Sequence, residues 1–286
     1  MKSGLEVLHL TAFSDGPGGG NPAGVVLDAA QLSETEMLEI AAELGYAESA
    51  FVTSPPSAPG PGRIGIRYFS PIAEVPFCGH ATVATAVALA DRYGAGNYLF
   101  ETQSGEVELV TERTPDGVRA SFTSVKPRVD GLGGPEVGRL LALLGLREEQ
   151  LHPEYPPRIA FAGNPHPVLV IKQQRVFDEF SFDPQALREF MDQQGWPATV
   201  TVLHVLAENE FEARNLFPVG TLSEDPATGS AAASTGAYLR ELGKIELPGK
   251  IWIRQGRHIG RPSLLEVDIP VSGGITVSGS AERITD

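Results

Sequence analysis

The chain has 286 residues, 42% of them hydrophobic and 20% charged, which is the balance of a globular protein with a real core and not of a disordered one. Its net charge of −14 repels phosphate backbones and sets nucleic acid aside as a partner, and no apolar run reaches the length of a membrane span. Glycine (32) and proline (23) are scattered along the chain, which predicts many short elements and many turns. The first residues, MKSGLEVLHLTAFSDG, show no signal-peptide pattern, so the expected location is cytoplasmic.

In chain order, Leu5–Leu10 and Gly24–Leu27 read as strands. The glycines of GGGNPAG (Gly18–Gly24) lack the Lys-Ser/Thr of a phosphate loop and read as a turn. Ser33 and Glu36 form a capping box that opens a helix with Met37, Ile40, Ala41 and Leu44 on its buried face. Ser49–Thr53 and Ile64–Phe69 read as strands flanking a Pro/Gly loop at Pro55–Gly62. Ala81–Ala90 (ATVATAVALA) has no polar face, so a helix there must be covered on all sides. Leu99–Thr102, Glu106–Thr111 and Val118–Phe122 follow as strands.

The second half repeats this order. Glu136–Leu144 and Pro184–Gln193 read as helices, the latter with Asp183 as N-cap and Pro184 at the first helical position. Val168–Ile171, Thr201–Leu206 and Phe211–Leu216 read as strands. Ala227–Arg240 is a second small-residue helix, and strands follow near Lys250–Arg254, Leu264–Ile269 and Ile275–Ser280. Ile66–Ala86 lies over Ala213–Ala233 at an offset of 147, placing Arg67 on Arg214, Cys78 on Asp225 and Val83 on Ser230. Asn21-Pro22 lies over Asn164-Pro165 at an offset of 143. Duplication is the better reading. It predicts an α+β fold of two pseudo-symmetric domains, 1–124 and 125–286, each a barrel-like, mostly antiparallel sheet around one helix. Thr123–Gly134 would link them, and the last strand near 275–286 would return to the first domain. The two helix N-termini would then face one cleft and offer backbone N–H groups to a substrate carboxylate.

Each candidate for chemistry has a bland rival. Glu48 is either solvated or, among Ala47, Ala50 and Phe51, buried enough for its pKa to rise into acid/base range. His80 is either a site residue or a hydrogen-bonded histidine at a helix end. Asp225 before Pro226 is a good N-cap, and Thr228 and Ser230 are good first-turn caps; capping and substrate contact are compatible. Cys78 is either a thiolate activated by a helix N-terminus or a small buried thiol. The six histidines stand singly and there is one cysteine, which predicts no disulfide and no metal site. Arg257 and Arg261 read as a solvated loop or an anion contact.

GGGNPAGVV, AESAFV, RYFSP with EVPFCGHATVATA, EDPATGSAAAS and QGRHIGRPS occur in that order. Together, from about Leu5 to about Pro262, they resemble the phenazine-biosynthesis PhzF-like family of the diaminopimelate-epimerase-like fold. The resemblance implies a cofactor-free isomerase, a homodimer, acting on a small conjugated amino- or hydroxy-carboxylate such as dihydro-3-hydroxyanthranilate, with the active site between the domains. It makes Glu48 the acid/base, gives His80 and Asp225 catalytic parts, and assigns Gly79, Ser230, Thr228 and Gly229 to substrate. Diaminopimelate epimerase carries a cysteine at both helix N-termini. This sequence has Cys78 at the first and Asp225 at the second, which disfavours a two-thiol racemase. A racemase using Cys78, or a non-catalytic binding protein, are the alternative readings.

Overall fold

A computed structural model of the chain describes residues 5–56, 62–218 and 223–284. The expected loop at Pro55–Gly62 lies mostly outside them, as do residues 219–222 of the second repeat. The chain divides into two compact units: Met1–Thr123 with Ser278–Asp286, and Ser124–Val277. Among the described residues no helix is long and apolar enough to cross a membrane.

The first unit contains β1 (Leu8–Ala12), β2 (Asn21–Val26), α1 (Glu34–Leu44), β3 (Glu48–Ser54), β4 (Arg63–Phe69), β5 (Glu74–Val75), α2 (Gly79–Tyr93), β6 (Asn97–Thr102), β7 (Gly105–Thr114) and β8 (Gly117–Thr123). The last strand of the chain, β17 (Thr276–Arg283), joins it. β1 is antiparallel to β2, and β2 is parallel to β3 through the α1 crossover. β3 is antiparallel to β4, and β4 is parallel to β6 through the α2 crossover. β6, β7 and β8 form a meander, and β17 lies between β8 and β1. The ring is therefore closed and leaves no edge strand among these pairings.

The ring closes around α2, whose residues from His80 to Ala90 are all buried. Alanine, valine and threonine are short enough for strands to approach the helix from every side, which explains the missing polar face. α1 covers the outside. Its Ser33–Glu36 capping box is present, Met37, Ile40 and Ala41 are buried against Val26, Phe51 and Phe69, and Gly45 ends it in the left-handed conformation (φ 68°).

The second unit contains β9 (Arg128–Gly131), α3 (Gly134–Leu143), β10 (Arg158–Phe161), β11 (Pro165–Ile171), α4 (Gln174–Glu179), α5 (Pro184–Gln194), β12 (Val200–Ala207), β13 (Glu210–Leu216), β14 (Glu224–Asp225), α6 (Gly229–Glu241), β15 (Gly249–Gln255) and β16 (Ser263–Ile269). Its pairings repeat the first unit's: β10–β11 antiparallel, β11–β12 parallel, β12–β13 antiparallel, β13–β15 parallel, β15–β16 antiparallel. In both units a two-residue strand pairs back onto the strand before it, β5 on β4 and β14 on β13. α6 is buried from Ala231 to Leu239 and packs on β9, β10, β11 and β16. At Gly236 an added Cβ would lie 2.9 Å from Ile275 and 3.0 Å from Val267, so the close approach of helix and sheet requires glycine there.

The fold is thus α+β in two similar halves, with four local corrections. The segment Thr123–Gly134, expected as a linker, contains β9, which pairs with β10. Strand β10 and helix α4 were not read from the sequence, because each is short and carries no sustained period. The helix expected from Ala227 starts at Gly229. The offset of 147 holds from Arg67 to Phe69 but becomes 150 after the intervening loop: Glu74 corresponds to Glu224, Cys78 to Thr228 and His80 to Ser230. The second helix opening therefore matches Cys78 with a threonine, and Asp225 falls in β14 opposite Asn215 and does not cap the helix.

Candidate active site

In the first unit, β2 and β3 are parallel and start at the same end of the ring, with Asn21 first in β2 and Glu48 first in β3. α2 opens with Cys78 as N-cap, making no side-chain capping bond, and with no acidic residue in its first turn. Its amide groups thus keep their positive end, which favours an anion. Glu48 is partly buried, 17% exposed at the side chain. Its Oε2 lies 3.6 Å from Cys78 Sγ and 3.6 Å from His80 Nε2. The Asn21 amide nitrogen is 3.0 Å from His80 Nδ1, which fixes the ring. Burial pushes His80 down to about 3, against a smaller opposing effect of a hydrogen bond with the Pro22 backbone, so at neutral pH the imidazole is uncharged. Below it, the Thr82 hydroxyl donates to the Cys78 carbonyl (2.7 Å) and meets the buried Tyr68 hydroxyl (2.6 Å). Glu48, Cys78, Gly79 and His80 are therefore one cluster, although Glu48 is thirty positions away in sequence.

The second unit gathers Asp225, Thr228, Gly229 and Ser230 at the start of α6. Asp225 is buried, and the Thr228 hydroxyl donates to its Oδ2 at 2.5 Å. Ser230 Oγ lies 3.0 Å from His166 Nε2, whose Nδ1 is 2.9 Å from Thr199 Oγ1. Thr199 and Thr201 both donate to Asn215 Oδ1. Burial lowers His166 to about 4, opposed by a hydrogen bond with the Thr199 backbone, so this imidazole too is neutral and orients Ser230 without adding charge.

Gln255 holds this end together. Its Nε2 donates to the Asp225 carbonyl (2.7 Å) and Thr228 Oγ1 (3.0 Å), and its Oε1 accepts from the Thr228 amide (3.2 Å). Gly256 follows at φ +79°, where a Cβ would collide with the Arg261 carbonyl at 2.2 Å and the Pro226 carbonyl at 2.7 Å. Arg257 then reaches Glu212 and Asp178, each at 2.6 Å, and His258 Nε2 lies 3.0 Å from Asp178. The QGRHIGRPS motif is thus a brace for the helix opening, and Arg257 is engaged with carboxylates of its own unit and not with solvent alone. Gln255→Leu is expected to unfold at about 1–3 kcal/mol lower stability, since it strands a buried carbonyl and amide. An unfolding free energy for Gln255→Leu equal to that of the unmodified chain would remove the bracing role.

Asn21, His166, Thr199, Asn215 and Gln255 are neighbours of the candidate residues that no local spacing in the sequence announces. The repeated Asn-Pro at Asn21 and Asn164 was the one available signal, because it marks where β2 and β11 begin.

The two neutral histidines set a pH dependence. Between the unfolded value of 6.5 and the folded values of about 3 and about 4, the folded chain binds fewer protons than the unfolded chain. Stability is therefore unaffected by them above pH 6.5 and is lost as pH falls below it, at about 1.4 kcal/mol per pH unit per histidine. Urea unfolding between about pH 7 and about pH 5 should show a shallower loss in His166→Gln than in the unmodified chain. Equal slopes would mean that His166 is charged in the fold.

The family model described as phenazine biosynthesis-like protein matches residues 10–285. An uncharacterized isomerase of Escherichia coli O157:H7 is 32% identical over 286 residues, covering 96% of this chain and 95% of its own. The trans-2,3-dihydro-3-hydroxyanthranilate isomerase of Pseudomonas chlororaphis is 33% identical over 257 residues, covering 90% of this chain and 87% of its own. Among solved structures, a phenazine biosynthesis protein of the PhzF family from Bacillus anthracis superposes with a TM-score of 0.82 at 26% identity, covering 98% and 97% of the two chains. A hydroxyproline epimerase from Agrobacterium vitis shares the fold alone, with a TM-score of 0.65 at 11% identity and coverage of 98% and 91%.

Proposed function

Because this chain belongs to the phenazine biosynthesis-like protein family and is an isomerase, we propose that it moves a proton between carbons of a small conjugated amino- or hydroxy-carboxylate, without a cofactor. A compound of the trans-2,3-dihydro-3-hydroxyanthranilate type is the proposed substrate, on the strength of the Pseudomonas chlororaphis relative. The observation that carries the reading is Glu48: a carboxylate still reachable by solvent, beside a neutral imidazole, at the uncapped start of a buried helix.

In this reading the ionised Glu48 takes a proton from one ring carbon, the resulting charge spreads through the conjugated system, and the same carboxyl returns the proton to another carbon on the same face. The neutral His80 holds position beside Glu48 without pairing it into a salt bridge. Gly79 and the amides of the first turn of α2 hold the carboxylate of the substrate. A two-thiol racemase would need a cysteine at the second helix opening as well. The second helix opens on Thr228, and its hydroxyl is bonded to Asp225.

Proton NMR in D2O with dihydro-3-hydroxyanthranilate tests the proposal. Isomerisation with deuterium entering a ring carbon is the expected result. Neither isomerisation nor exchange would remove that substrate class. Inactivation by thiol alkylation, with Glu48→Gln still active, would favour a Cys78 racemase instead.

A further inference from the structure

We propose that Glu48, Cys78 and His80 form a three-ligand site for a zinc-class divalent cation, and that occupancy of this site silences the enzyme. One ligand atom from each residue lies within 4.8 Å of the others. The separations are more specific than that bound: Sγ–Oε2 is 3.6 Å, Sγ–Nε2 is 3.7 Å and Nε2–Oε2 is 3.6 Å. A tetrahedral zinc ion with one sulfur, one nitrogen and one oxygen ligand at ordinary bond lengths sets those ligands about 3.3–3.6 Å apart. The triangle thus needs a contraction of about 0.1–0.4 Å together with a turn of the imidazole, because Sγ now lies nearer Nδ1, at 3.4 Å, than Nε2.

The donor chemistry selects the metal class. A thiolate and an imidazole favour zinc, cobalt or copper over magnesium or calcium, which take oxygen ligands. All three ligands stand on regular structure: Glu48 begins β3, Cys78 caps α2 and His80 lies in its first turn. Ligation through Nε2 puts the imidazole proton on Nδ1, so the Asn21 carboxamide, whose nitrogen faces Nδ1 at 3.0 Å, has to turn its oxygen to that atom to serve as the outer contact that ligating histidines carry. Glu48 keeps a solvent-facing side, which leaves a way in and a fourth position for water. The sequence hid this site because Glu48 is remote from the Cys-x-His pair, and neither piece alone has ligand spacing.

Binding releases the Cys78 thiol proton to solvent and ties up the Glu48 carboxylate. The inhibitory half of the proposal rests on Glu48 being the acid/base; the binding half does not. Cobalt(II) titration of the whole protein reads binding directly. The expected result is one ion per chain with a sulfur-to-cobalt charge-transfer band, displaced by zinc. Cys78→Ser should lose the band and weaken zinc by at least about tenfold while melting at an unchanged temperature. A band that survives in Cys78→Ser, or no binding by the folded unmodified chain, would overturn the site.

For the inhibitory half, zinc should suppress turnover of the unmodified enzyme and a chelator should restore it. Whatever turnover Cys78→Ser retains should resist the same zinc concentration; equal sensitivity would overturn this half. A cobalt band in a chain that never turns over the proposed substrate supports the metal site and counts against the substrate reading alone.

Discussion

Glu48→Gln is expected to abolish proton transfer while leaving the fold intact. A positioned general acid/base contributes about 10²–10⁴ in rate, so kcat should fall by about 10³, equivalent to about 4 kcal/mol of barrier. Glutamine keeps the shape and the backbone pairing of Glu48 with Ala23. It cannot accept and return a proton. Deuterium uptake into the substrate ring should vanish with turnover, whereas substrate affinity should change by no more than a few-fold, because the opening of α2 is untouched. A variant that keeps a tenth of the turnover would show that another group carries the proton, and Cys78, 3.6 Å away, would be the next residue to test.

The second large effect is on stability. Arg214→Ala should cost the second unit about 3–5 kcal/mol, a large part of the total stability of an ordinary domain. Arg214 and Glu224 are 8% and 6% exposed, joined by Nη2–Oε1 at 2.6 Å and Nε–Oε1 at 3.1 Å. The other guanidinium nitrogen donates to the Phe177 and Phe180 carbonyls at 3.1 and 3.0 Å, and the Phe180 ring lies 3.8 Å from Cζ. Truncation leaves a buried carboxylate and two carbonyls without their donor. Glu224 adjoins Asp225 in β14, so the opening of α6 should loosen as well.

The corresponding pair in the first unit, Arg67 with Glu74 at 2.6 Å, is 28% and 13% exposed and shares Arg67 with Glu34. Water replaces more of that pair, so Arg67→Ala should cost distinctly less. Chemical unfolding of the two variants side by side checks the order; equal costs would mean that burial is not what separates them. Arg214→Met with Glu224→Leu should recover much of the loss, because an apolar pair of similar volume leaves no buried charge.

Some of the molecule was legible because its signals are local. The capping box at Ser33 and Glu36, the Asp183-Pro184 helix start, and the small-residue helices around Ala81–Ala90 and Ala231–Leu239 each rest on contacts within a turn or on one helix surface. The family motifs were legible for the same reason: CGHAT and DPATGS are each written on one helix opening. The duplication was visible as order, but its register was not. A three-residue difference in the loop between β13 and β14 shifts Cys78 onto Thr228 and His80 onto Ser230, and only strand pairing shows where the shift falls.

The amino-acid sequence by itself determined the α+β class, the two all-buried helices and the family, since these depend on composition, short-range spacing and residue identity. The tertiary structure alone decided which side chains meet. Parallel pairing of β2 with β3 brings Asn21 and Glu48 to the opening of α2, and pairing through β11 and β12 brings His166 and Thr199 to Ser230. The physical reason is that a crossover connection fixes strand order and register through hydrogen bonds made far from the turn. Residues tens of positions apart are placed within 4 Å by packing, with no local spacing to announce it.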